Sequence, residues 1–185
     1  QKIVSKIEAA FTLLDEAIKR QKQNIQRIED LKKTVLEEVF SCSEWNPKRI
    51  EEIAFIKGGK RLPQGMSLLS EKTVYPYIRV ADFGKNGTVN VEKLKYLDEK
   101  AQKSIKNYTI TSNDLYISIA GTIGLTGIIP KELDGANLTE NAAKLVYKEP
   151  SAIENKFIYY FSISRYFTEQ ASDATKTVAQ PKLAL

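Results

Sequence analysis

The first forty residues contain neither proline nor glycine, and their apolar positions recur in alternating steps of four and three. Ile7, Phe11, Leu14, Ile18, Ile25, Ile28, Val35 and Val39 form that series. This is the period of a coiled-coil seam, so residues 2–40 are expected to form one long helix. Gln21 interrupts the seam, and Lys32 sits where another apolar residue is due, with Leu31 beside it. Lys19, Arg20, Arg27, Glu29, Asp30 and Lys33 fill the other faces. At about 1.5 Å per residue, the helix would be roughly 60 Å long. A lone helix cannot bury its own seam. No second long heptad stretch occurs in the sequence. The eight seam residues are therefore the expected interface with a helix from another chain, or from a segment outside this sequence. The alternative is an ordinary bundle helix docked on its own domain.

Ser41 to Pro47 ends the pattern, with Asn46-Pro47 as a boundary signal. The division expected is a helix over 1–41 and a domain over 42–185, an α+β chain overall. Tyr75–Val80, Leu115–Ile119, Leu125–Ile129 and Ala143–Tyr147 are short apolar runs rich in strand formers, punctuated by Gly, Pro and Asn. Asn86-Gly87 marks a tight turn. A helix is expected from Ile153 to about Ala171, with Phe157, Tyr160, Phe161 and Phe167 on its buried side. Hydrophobic residues make up 42% of the chain, enough for a real core.

Composition narrows the chemistry. A net charge of +5 permits phosphate binding without demanding it. There is no histidine, which removes Ser-His-Asp and Cys-His nucleophiles and histidine-bound metals. The single cysteine, Cys42, can form neither an internal disulfide nor a zinc cluster, and suits a reducing cytoplasm. No apolar run reaches the roughly 18 residues of a membrane span, and the first residues show no signal-peptide pattern.

Five segments could contact a ligand. Lys57-Gly58-Gly59-Lys60-Arg61 combines cations with glycines that allow close backbone approach; it could equally be a solvated turn. In Tyr75-Pro76-Tyr77-Ile78-Arg79-Val80-Ala81-Asp82 a strand delivers Arg79, which could grip guanine or phosphate, or pair internally with Asp82. Ile119-Ala120-Gly121-Thr122-Ile123-Gly124-Leu125 is a tight turn presenting Thr122, without the spacing of a nucleotide loop. Asn137-Leu138-Thr139-Glu140-Asn141 offers amides and a hydroxyl to bases, or to its own loop backbone. The stretch Ala174 to Gln180 carries Lys176, Thr177 and Gln180, which could lie across a nucleic acid or belong to a frayed end. There is no paired-acid pattern followed by Glu-x-Lys, no Asn-Pro-Pro-aromatic signature and no Phe-x-Gly-x-Gly loop, which argues against nuclease or methyltransferase catalysis in this chain.

The order of these segments resembles the specificity subunit of type I restriction-modification systems. Gln1-Lys2-Ile3-Val4-Ser5-Lys6-Ile7-Glu8 is similar to that family's conserved spacer region. Trp45 with Ile50-Glu51-Glu52-Ile53-Ala54 and Gly58-Gly59 resembles the entry to a target recognition domain. Pro76-Tyr77-Ile78-Arg79 matches its Pro-x-Ile-Arg segment. Asn113 to Gly124 resembles its most recognisable stretch, followed in family order by Asn137 to Ala143 and the late aromatic helix. The family carries two recognition domains and two spacer helices, whereas this sequence has one of each. The resemblance therefore implies a half-subunit, natural or excised.

It also implies a non-catalytic reader of one half of a split target in double-stranded DNA. The helix would pair with a second spacer helix, a homodimer being one arrangement. Modification and restriction subunits would be the partners, and would bind S-adenosylmethionine and ATP; this chain would need no cofactor and no metal. Lys57, Lys60, Arg61 and Lys176 would neutralise phosphates beside Gly59, with Thr177 and Gln180 nearby. Arg79, Thr122, Asn137, Thr139 and Asn141 are the candidate base or backbone readers. The rival expectations are a coiled-coil scaffold that binds protein, and a carboxylate-metal nuclease.

Overall fold

A computed structural model describes residues 1–41, 45–84 and 86–175. The chain divides into two units, Gln1–Ser43 and Glu44–Leu185.

The first unit is a single helix, α1 (Lys2–Phe40, 39 residues). Its length follows from the absence of any helix breaker and from exposed side-chain pairs along its faces. Arg20 meets Glu16, Lys32 meets Glu29 at 3.2 Å, and Gln26 donates to Asp30 at 2.9 Å. Such pairs contribute only a few tenths of a kcal/mol each, so packing elsewhere has to supply the rest. No residue of α1 is buried. All eight seam residues are exposed, from 45% at Val39 to 61% at Phe11.

The second unit begins with the single-turn α2 (Ile50–Ile53), which runs into β1 (Ala54–Gly58). Then follow β2 (Pro76–Ile78), β3 (Lys95–Tyr96), α3 (Glu99–Ser104), β4 (Thr109–Ile110), β5 (Leu115–Ser118), β6 (Thr126–Gly127), β7 (Ala136–Leu138) and β8 (Ala142–Tyr147). The last helices are α4 (Asn155–Ser162) and α5 (Arg165–Thr175). One sheet has the order β1-β8-β5-β6 and is wholly antiparallel. The other has the order β3-β2-β7-β4, with β2 and β7 parallel.

The two sheets share a core. Ile78 of β2, Ile110 of β4, Tyr116 of β5, Leu138 of β7 and Ala142 of β8 meet there, with the Phe83 ring stacked on Tyr116 at 3.9 Å. Strand alternation sends Leu115 and Ile117 to the opposite face, where Ile158, Tyr159 and Phe167 from α4 and α5 cover them. Tyr77 likewise points away from Ile78, toward Leu97 and the buried Ala101 of α3. Strand β5 is therefore buried on both faces, which explains why it reads as an unbroken apolar run.

Three expectations need correction. The late helix is two helices, broken at Ile163 and Ser164. Ser162 Oγ bonds the Tyr159 carbonyl and Thr126 Oγ1, while Ser164 Oγ bonds the Phe161 carbonyl, so the turn closes on serine hydroxyls. Phe157 and Tyr160 are exposed rather than buried; Ile158 and Tyr159 take the inward positions of α4. The strand read over Tyr75–Val80 stops at Ile78, because Val80–Asp82 turns into a 3-10 segment closed by Asp82. Among the described residues no helix is long and apolar enough to cross a membrane.

Candidate functional site

Strand directions bring four of the five segments to one end of the second unit. Gly58 at the end of β1 pairs with Ala143 near the start of β8, and Ser118 at the end of β5 pairs with Ala142. Ile78 and Leu138 end the parallel strands β2 and β7 side by side. The segment Thr139–Asn141 must then cross from one sheet to the other, and the backbone of Leu138–Asn141 bonds the three neighbouring segments. Thr139 N donates to the Ile78 carbonyl at 3.0 Å, Ile119 N donates to the Asn141 carbonyl at 2.9 Å, and Lys60 N donates to the Leu138 carbonyl at 2.8 Å. Segments separated by up to about eighty residues thus form one surface.

Gly59 makes the closest approach. Its N–H donates to the Ala142 carbonyl at 2.9 Å, and a Cβ at this position would fall onto the Thr139 carbonyl. The close approach expected of this glycine is therefore to the protein's own backbone.

The cations differ from one another. Lys57 and Lys60 are exposed, and the Lys60 ammonium lies 5.6 Å from the centre of the Tyr108 ring. Arg61 is also exposed, but its Nε donates to Glu140 Oε1 at 2.7 Å. Glu140 Oε2 accepts from the Thr139 hydroxyl at 2.8 Å. Partial burial pushes the Glu140 carboxyl up, but the bonds from Arg61 and Thr139 outweigh it and hold the group below its usual range. Glu140 is therefore an anion at neutral pH. Burial raises the Tyr77 phenol above its ordinary value, so it remains a donor to the Lys60 carbonyl at 3.0 Å.

The candidate readers fare unequally. Thr122 is exposed at the tip of a turn that Ser118 holds, its Oγ accepting from Leu125 N and donating to the Thr122 carbonyl. Asn141 is half-buried. Thr139 is buried, and its hydroxyl is spent on Glu140. Arg79 forks onto the buried Asp82, with Nε–Oδ2 at 3.0 Å and Nη2–Oδ1 at 2.6 Å, and reaches the Lys93 carbonyl. That is the internal pair weighed earlier as the alternative.

Asn137 is a correction. It is 1% exposed, and its amide donates to the carbonyls of Ile105 and Tyr108. It fastens β7 to the segment after α3 and has no edge to offer a base. Asn137→Ala should destabilise the domain by about 2 kcal/mol, by removing two buried amide hydrogen bonds that tie β7 to the segment after α3. Urea unfolding would measure this, with no change in DNA preference expected when the folded fraction is compared. Lys176, Thr177 and Gln180 lie outside the described residues. Glu140 was missed as a functional residue, although it stands inside the quoted Asn137–Asn141 segment. The only available signal was an acid between two amides in a basic chain.

Residues 42–185 match the family model described as the type I restriction modification DNA specificity domain. A chain solved in work on complex assembly and conformational transition of the type I R-M system superposes with a TM-score of 0.67 at 20% identity, over 97% of this chain and 43% of that one. The HsdS subunit from Thermoanaerobacter tengcongensis gives 0.58 at 19% identity, over 98% and 46%. The S subunit of a type I restriction-modification system from M. genitalium gives 0.50 at 16% identity, over 77% and 32%. At such identities these likenesses speak for the fold. This chain spans less than half the length of each. No curated protein sequence matches it.

Proposed function

Because the chain belongs to the type I restriction-modification DNA specificity family, we propose that its second unit reads one half of a split target in double-stranded DNA. A specificity domain of this kind recognises DNA and is not an enzyme. One observation carries the placement of the reading surface: the cationic segment 57–61, the turn at 120–124 and the crossing at 139–141 share one end of the unit. Lys57 and Lys60 meet phosphates, which fixes register without reading sequence. Thr122 and Asn141 present their polar ends to bases or backbone. Thr139 acts through Glu140. Arg79 orders the loop behind them. Lys176, Thr177 and Gln180 are assigned to the same duplex.

The helix α1 pairs with a second spacer helix through its exposed seam. Its length, about 58 Å, suffices to hold two readers on successive turns of B-DNA, about 34 Å apart. Methylation and cleavage come from modification and restriction subunits in the cytoplasm, which hold S-adenosylmethionine and ATP. The exposed seam also supports the rival reading, a scaffold that binds only protein.

A salt titration separates the two. A reader should bind mixed-sequence duplex with an affinity that falls as salt rises. Replacing Lys57 and Lys60 together by alanine should lower the slope of log affinity against log salt by about 2. The loss should be equal on preferred and mixed sequences. Absence of salt-dependent duplex binding by the unaltered chain would favour the scaffold.

A further inference from the structure

The ion pair at the centre of the reading surface is ill-suited to gripping phosphates. A phosphate site gains from cations and loses from any acid beside them. Yet Glu140 sits against Arg61, the best-placed fork in the segment, and is held there from both sides. Thr139 fixes Oε2 and Arg61 fixes Oε1. The acid costs the surface non-specific affinity, and it is neither a frayed nor a loosely placed group.

The pair offers a mixed set of hydrogen-bonding groups. The contact uses Arg61 Nε, and the Arg61 side chain is 77% exposed, which leaves the terminal nitrogens open to a ligand. The Glu140 carboxylate takes these two bonds and one from its own backbone N–H, and with about four acceptor sites it keeps a lone pair for a ligand. Two donors therefore stand beside an acceptor. In the major groove guanine presents two acceptors, O6 and N7, and its cytosine partner presents the N4 amino donor. A guanidinium forks onto the first and a carboxylate accepts from the second.

We infer that Arg61 and Glu140 act together as the reader of one G·C base pair, with Glu140 the specificity-determining residue that keeps Arg61 from settling on phosphate. This rests on the proposed DNA-reading role, and it moves Arg61 from the phosphate contacts to the base contacts. The two halves work in opposite senses on random DNA. Arg61 adds attraction, and Glu140 cancels it unless a cytosine amino group is there to satisfy the carboxylate. Discrimination of this kind comes from penalising the wrong partner as well as rewarding the right one.

The test selects bound duplexes from a random pool with the full chain and two near-isosteric variants, alongside binding to mixed-sequence DNA and thermal unfolding. Glu140→Gln keeps the shape and a bond to Thr139 while removing the charge. It should bind mixed DNA several-fold more tightly, and its preference for G·C at one position should fall about tenfold. Arg61→Lys keeps the charge and loses the fork. It should hold its affinity for mixed DNA and lose the same positional preference. The inference is overturned if Glu140→Gln weakens mixed and selected duplexes equally, which would make Glu140 a loop-ordering residue. It is also overturned if Arg61→Lys retains the G·C preference. Failure of the unaltered chain to bind any duplex overturns the DNA-reading role itself, and this inference with it.

Discussion

Asp82→Ala is expected to destabilise the recognition domain by about 3 kcal/mol, a fall in Tm of about 10 °C for a unit of this size. Asp82 is 1% exposed and accepts three bonds from Arg79, one from its backbone N–H and two from its guanidinium. Its removal leaves an arginine fork without its acid, and unties the 3-10 turn that ends β2. Arg79 is partly open to water, so the effect lies at the lower end of what a wholly buried pair would show. Asp82→Asn retains shape and one acceptor, and should cost less. Circular dichroism melts of the two variants would establish the order. In DNA binding below the melting transition, both should lose affinity for preferred and mixed duplexes alike. Intact stability with a lost sequence preference would return Arg79 to the base readers.

The second large effect concerns α1. Ile18→Asp combined with Ile25→Asp should abolish pairing of the helix while leaving the unfolding of the recognition domain unchanged. Both residues are more than half exposed in the single chain, so the charges cost nothing until a partner helix covers them. In a seam each aspartate would lose its water without gaining a partner. The unaltered chain should sediment as a dimer, with two copies supplying the two readers, and the double variant as a monomer. Binding to a duplex carrying two half-sites should then fall at least a hundredfold, since linkage of two readers contributes that much without new contacts. Equal sedimentation of the two proteins would mean that α1 does not pair with a second copy of itself.

What could be read from the chain depended on the range of the interactions. The helix α1 was legible because its period is local and uninterrupted by Pro or Gly. The strands β5 and β8 were legible because burial on both faces, or nearly so, demands apolar runs. The Arg79–Asp82 pair could be anticipated because its partners are three residues apart. The break between α4 and α5 could not. Its serines bond carbonyls three residues back, but Ser162 also meets Thr126, thirty-six residues earlier. Asn137 misled for the same reason. Its amide looks like a reader until the carbonyls of Ile105 and Tyr108 are brought beneath it. The Arg61–Glu140 pair joins positions 79 residues apart, and no local pattern announces such a contact. The seam, by contrast, is legible from its period alone, and no residue of α1 is buried.

Amide hydrogen exchange of the full chain with and without duplex DNA tests the placement of the reading surface most directly. Slowed exchange should concentrate at residues 57–61, 119–124 and 139–141, and spare α3 and the edge strands β3 and β4 of the second sheet. Protection confined to α3 and those edge strands, with the three meeting segments unchanged, would contradict the account.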